Sequence, residues 1–272
     1  MIYVLDQNYF RSDALRELCL AEPAAKFVIP DIALLEMCKG PKWLETMQGS
    51  LETLAEHPTR VFHSLAVGET LNRELRTLKS IEGHLLPRDF KALIRSVLED
   101  IKAGTVASGL EIIKSRIAQA QQEIHAEELN HARNRHSLLT RTEIIKKALE
   151  GGPLKELRSG VSDDDRLGLI RSVSLDLLKT FLAEKEGHPA NKITAFLRTR
   201  PMLLRYYYLS VRHAVEWART GGLESYPAEK VTNDMFDQEY VAIGSFFDRL
   251  LSREQRVMDS DADLRRLLSM RV

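Results

Sequence analysis

The stretch Met1-Ile-Tyr-Val-Leu-Asp-Gln-Asn8 decides how the rest of the chain is read. Ile2 to Leu5 is an unbroken apolar run of β-branched and aromatic residues, the pattern of a strand buried on both faces. It ends on an acid, Asp6. In an open α/β sheet, ligands bind where parallel strands reach their carboxyl edge. An acid there suggests a metal or phosphate site, and the other reading open at this point is an N-cap for a following helix.

Working outward, residues 12–20 have helical spacing behind Ser12, and Phe27-Val-Ile-Pro30 reads as a second buried strand. Asp31 is placed to cap the next helix, which runs from Ile32 to a Gly40-Pro41 stop. Glu36 lies among apolar residues in that helix, facing either solvent or a site beyond the strands. Residues 43–55 read as a helix and residues 59–65 as a third strand. From about residue 67 to about residue 222 no strand is expected. Residues 85–103, 106–149, 164–184 and 191–219 read as helices, with breaks at glycines and prolines such as Pro201. Leu110, Ile113, Ile117, Ala120 and Ile124 step by three and four along one seam. The α/β pattern then returns as a helix over residues 231–247, a short strand over 248–252 and a final helix over 253–270. The expectation is an α/β fold with a small parallel sheet flanked by helices. It is formed by residues 1–65 plus 228–272 and split by an all-helical insertion at 66–227.

Bulk composition narrows the class. The 272 residues are 44% hydrophobic, enough for a packed core. Lys+Arg and Asp+Glu are both 39, so no overall positive charge points to nucleic acid, although a local basic patch is compatible with this. Cys19 and Cys38, the two cysteines, form neither a disulfide framework nor a zinc site and are expected in the core. No apolar run approaches the roughly 18 residues of a membrane span. The opening leaves no room for a signal peptide, so a cytoplasmic protein is expected.

Acids recur at equivalent places: Asp6 after the first strand, Glu36 after the second, Asp234 and Asp237 opening the penultimate helix, and Glu254 after the last strand. Clustered carboxylates raise one another's pKa unless a cation neutralises them, and hard oxygen ligands suit Mg²⁺ or Mn²⁺. Asp234 is read either as a ligand or as a first-turn charge, and so is Glu254. Asp163-Asp-Asp165 reads as a solvated helix start, and His131 and His136, five apart and so not on one helical face, read as side chains facing solvent.

With these residues in place, the sequence resembles the PIN-domain nucleases, which include the toxin ribonucleases of bacterial toxin–antitoxin pairs. The first motif of that family is a strand ending in Asp, matched by Val4-Leu-Asp-Gln-Asn8. The second is a Glu in the helix after strand two, matched by Ile29-Pro-Asp-Ile-Ala-Leu-Leu-Glu36. The third is an Asp starting a small-residue helix. It is matched by Asn233-Asp-Met-Phe-Asp-Gln-Glu-Tyr-Val-Ala-Ile-Gly244, with Asp237 in the best register. The fourth position falls in Leu250-Leu-Ser-Arg-Glu254, where Glu replaces the usual Asp or Asn. The helical insertion is absent from minimal family members and is similar in outline to the inserted helices of the related flap-type nucleases. The resemblance implies catalytic Asp6, Glu36 and Asp237. It also implies a Mg²⁺ or Mn²⁺ site drawn from Asp6, Glu36, Asp234, Asp237 and Glu254, cleavage of RNA ahead of DNA, and a possible antitoxin or other protein partner on the insertion. The alternative is an inactive binding or scaffold protein on the same fold.

Within residues 192–219, Lys192, Arg198, Arg200, Arg205 and Arg212 are interleaved with Tyr206, its two following tyrosines and Trp217. Basic residues mixed with aromatics can hold phosphates and stack bases. The alternative is a helix with a buried aromatic side and a solvated basic side.

Overall fold

Tyr3, Val4 and Leu5 are almost completely buried, because strand β1 (Ile2–Leu5) is flanked by a strand on either side. A computed structural model of the chain describes residues 1–38, 40–116, 143, 147, 155, 160–219 and 228–270. Tyr3 pairs with Phe27 of β2 (Lys26–Ile29) and with Arg249 of β4 (Arg249–Leu251). Phe27 in turn pairs with Val61 of β3 (Val61–His63). All three ladders are parallel and the sheet order is β3-β2-β1-β4. The fold is therefore α/β with a small four-stranded parallel sheet.

The helices in the first part of the chain are α1 (Asp13–Ala21), α2 (Asp31–Met37), α3 (Trp43–Ala55), α4 (Val67–Thr77) and α5 (Arg88–Ala103). Ser12 caps α1 by accepting from the Leu15 amide. Arg60 closes its other end, donating to the carbonyls of Cys19, Glu22 and Pro23 while its guanidinium lies 5.5 Å from the Phe27 ring. Asp31 does not cap α2. Pro30 stands at the cap position, and the Asp31 carboxylate lies 3.2 Å from His63 Nε2 instead. α4 is a helix absent from the expected elements, although Val67, Leu71 and Leu75 recur every four residues along it. Its neighbour α5 packs on α3 and β3. Buried Asp100 accepts from the Leu110 amide, and a Cβ on Gly109 would come within 2.5 Å of the α5 backbone at Ser96. Gly is required there by close approach. Cys19 and Cys38 are buried, and burial pushes the Cys38 thiol up to about 12.

Later elements are α6 (Asp163–Thr180), α7 (Ala190–Arg198), α8 (Met202–Arg219), α9 (Ala228–Gly244) and α10 (Gln255–Ser269). Pro201 separates α7 from α8 as its missing amide requires. Ser162 caps α6 through the Asp165 amide, and Asp163 and Asp164 stay exposed at its start. His131, His136 and the seam from Ile117 onward lie outside the described residues. Among the described residues, no helix is long and apolar enough to cross a membrane.

The chain groups into two compact units. One comprises Met1–Thr70, Glu82–Glu128 and Glu239–Asp261, and contains the sheet. The other comprises Leu71–Ile81, Leu129–Gln238 and Ala262–Val272. Within the second, α6 packs on α8 around a buried ionic node. Asp263 receives Arg166 Nη2 at 2.8 Å and Arg212 Nε at 2.7 Å. Burial alone would raise the Asp263 carboxyl, but the Arg166 and Arg212 guanidiniums outweigh it and hold it below the usual range. A carboxyl lowered in this way adds stability above its unfolded pKa and loses it as pH falls through the folded one. Asp263→Ala takes the carboxylate from buried Arg212, while Arg166 keeps Glu216 and Asp163, each at 3.4 Å, and it is expected to cost about 3–5 kcal/mol in urea unfolding at pH 7. The deficit should shrink as the wild type is acidified. A change within error at pH 7 would contradict the node's role.

Candidate active site

β1 and β4 run side by side, so their ends deliver side chains to the same place. The Asp6 amide donates to the Leu251 carbonyl at 3.0 Å, extending the ladder by one bond. Asp6 itself is 4% exposed. Its carboxylate closes no full capping bond to the short turn of helix at Gln7–Tyr9, although the Gln7 and Asn8 amides lie close enough to lower its pKa. Instead Oδ2 accepts from Ser252 Oγ at 2.5 Å and from Asn8 Nδ2 at 2.9 Å. Asn8 completes a clasp between the two strand ends. Its Oδ1 accepts from the Arg253 amide at 2.9 Å, and its Nδ2 also reaches Glu254 Oε1 at 3.3 Å. Ser252 Oγ accepts in turn from the Glu254 amide at 3.0 Å.

Glu36 approaches from α2. It is half-buried, and its Oε2 accepts from the Tyr240 hydroxyl at 2.5 Å. Tyr240 lies on α9 and is 1% exposed. Burial pushes its phenol pKa well above the ordinary value, with Glu36 and then Asp6 adding to the shift. Asp6 is also raised, first by burial and further by the Glu254 charge, against the lowering effect of the Ser252 hydroxyl. Asp6, Asn8, Glu36, Tyr240, Ser252 and Glu254 therefore form one constellation at the carboxyl edge of the sheet.

Two other sequence-derived acids stand earlier on α9. Asp237 lies one turn before Tyr240 and is half-buried, and Asp234, a further turn back, is buried. Both have partners of their own. Among the described residues, no three His, Cys, Asp or Glu side chains are grouped closely enough to hold a metal by themselves.

The sequence does not single out Tyr240 and Ser252. Ser252 was within reach, since it is the hydroxyl residue two before Glu254 in the fourth motif. Tyr240 shares a helical face with Asp237, but its partner is 204 residues away along the chain.

The basic stretch divides. Lys192, Arg198 and Arg200 are exposed. Arg205 is buried and donates Nε to the Arg200 carbonyl at 2.9 Å, while Arg212 is committed to Asp263. Tyr206 is half-buried. The N-terminus of α8, which would otherwise favour an anion, is taken by buried Glu74, whose oxygens accept from the Met202 and Leu203 amides at 3.1 and 2.8 Å. The surface cations of this stretch are thus those around α7 and Arg219 at the end of α8, which pairs with Glu216, and reversing Arg205 would disturb the interior rather than test a surface.

No family model, curated protein or solved structure matches this chain.

A carboxyl whose folded pKa is raised contributes stability below its unfolded pKa and loses it as pH rises through the folded one. Ionised Asp6 therefore costs stability at neutral pH. In chelator, Asp6→Asn should melt above wild type at pH 7, and the gap should close below about pH 4. A mutant that melts lower at pH 7 would contradict this electrostatic reading.

Proposed function

We propose that this chain is a metal-dependent phosphodiesterase of the PIN-like kind, acting on RNA. The observation that carries the reading is Asp6: a buried carboxylate at the end of a central parallel strand, beside a second acid, Glu254, and held by uncharged donors. Among the described residues no Lys, Arg or His pairs with it. Such a carboxylate is suited to an external cation.

Asp6 and Glu36 are the residues that would hold the ion, with Glu254 as a further candidate. Mg²⁺ is commonly bound through one or two carboxylates, with water and substrate phosphate supplying the other oxygens, so a pair of acids suffices. When bound, Mg²⁺ or Mn²⁺ supplies an activated water and offsets charge on the phosphoryl oxygens. The protein's own contribution is orientation. Ser252 and Asn8 fix Asp6 through one oxygen, and Tyr240 fixes Glu36 through one oxygen. Lys192, Arg198 and Arg200 are proposed to contact the RNA backbone, and a growth-arresting toxin with a protein antitoxin is the cellular role that fits. Reversing Arg198 and Arg200 together should weaken RNA binding and flatten its salt dependence.

The test is cleavage of labelled RNA and DNA by wild type and Asp6→Asn at equal folded concentration, with Mn²⁺ or with chelator. Wild type should cleave RNA only with the metal, and Asp6→Asn should lose at least about 100-fold, an oriented metal being worth several kcal/mol at the transition state. Full activity in the mutant, or activity that survives chelation, would refute the mechanism. Wild type that cleaves nothing under any metal would favour the scaffold alternative.

A further inference from the structure

Glu36 sits near the end of α2, a helix of seven residues, and is only half-buried. A glutamate there has several rotatable bonds, and holding it in one orientation costs side-chain freedom. Its Oε2 is nevertheless bonded to a phenol from the far end of the sequence. Tyr240 is well suited to fixing it. Its ring is enclosed, its position is set by the helix α9, and neighbouring Val241, Ala242 and Ile243 are all buried.

The direction of the bond is also settled. The hydroxyl carries the hydrogen of this bond, so Tyr240 donates and the Glu36 carboxylate accepts. Partners that orient a metal's ligands in this way typically matter 10–100-fold for metal affinity or activity.

We infer that Tyr240 is the positioning residue for Glu36: its hydroxyl fixes the carboxylate in the orientation in which it receives a divalent cation together with Asp6. This rests on the metal-dependent reading above and extends it to Tyr240, which lies inside the third motif but is not one of its acids.

The test is Mn²⁺ binding without substrate, followed by the electron paramagnetic resonance signal of free Mn²⁺, on wild type, Tyr240→Phe, Glu36→Gln and the double variant. Tyr240→Phe removes one oxygen and keeps the buried ring. It should weaken Mn²⁺ binding about 10–100-fold, with little change of melting temperature in chelator. In the Glu36→Gln background the same substitution should have no further effect, because the hydroxyl acts through that carboxylate. Placing 4-aminophenylalanine at 240, which restores a donor, should recover binding. The inference is overturned if Tyr240→Phe binds Mn²⁺ as well as wild type or better, or if its loss simply adds to that of Glu36→Gln. Wild type that binds no Mn²⁺ would remove the metal-dependent reading along with the inference. Wild-type binding that Tyr240→Phe leaves intact would remove the inference alone.

Discussion

The burial of β1 from both sides sets the geometry of everything that follows it. With Val4 and Leu5 fully enclosed and ladders to β2 and β4, the chain has no freedom to turn before Asp6. The acid emerges between two neighbouring strand ends, and the one belonging to β4 brings Ser252 within hydrogen-bonding distance. Asn8 then binds the turn after β1 to the turn after β4, using its carbonyl on the Arg253 amide and its amide on Asp6. The clasp and the carboxylate depend on each other. Without a central β1 there would be no shared edge, and without the clasp Asp6 would have no fixed orientation.

Three of the buried acids among the described residues meet three different fates. Asp263 is neutralised by two guanidiniums and its pKa falls. Glu74 is satisfied by the amides of Ile81, Met202 and Leu203, with burial still raising it. Asp6 has a hydroxyl, a carboxamide and a nearby negative charge, and is raised too. The first is a structural ion pair and the second a helix cap. The third is the arrangement that a bound cation would relieve, and Glu36, held by Tyr240, adds a second oxygen donor to it.

The sheet was legible because its strands are short apolar runs, a signal carried by residues next to one another. Ile2 to Leu5 and Phe27 to Ile29 needed no distant information. The acids at the strand ends were legible for the same reason. Glu36 was legible as a choice between solvent and site, and the bond to Tyr240 turns it inward. That bond joins residues separated by most of the chain, which no local pattern reports. The basic stretch misled in a different way, since charge does not give direction. Arg205 and Arg212 are seven residues apart on α8, on one face with Tyr208 and Leu209, and that spacing marks an inward stripe. Asp31 looked like a cap because Asp is a frequent one, but Pro30 takes that position.

The most direct measurement is anomalous diffraction from crystals of the full chain grown with Mn²⁺. The account predicts a peak bonded to carboxylate oxygens of Asp6 and Glu36 at the carboxyl edge of β1, with the Tyr240 hydroxyl still on Glu36. A Mn²⁺-saturated crystal with no peak at those two carboxylates, or with Mn²⁺ bound only elsewhere, would contradict it.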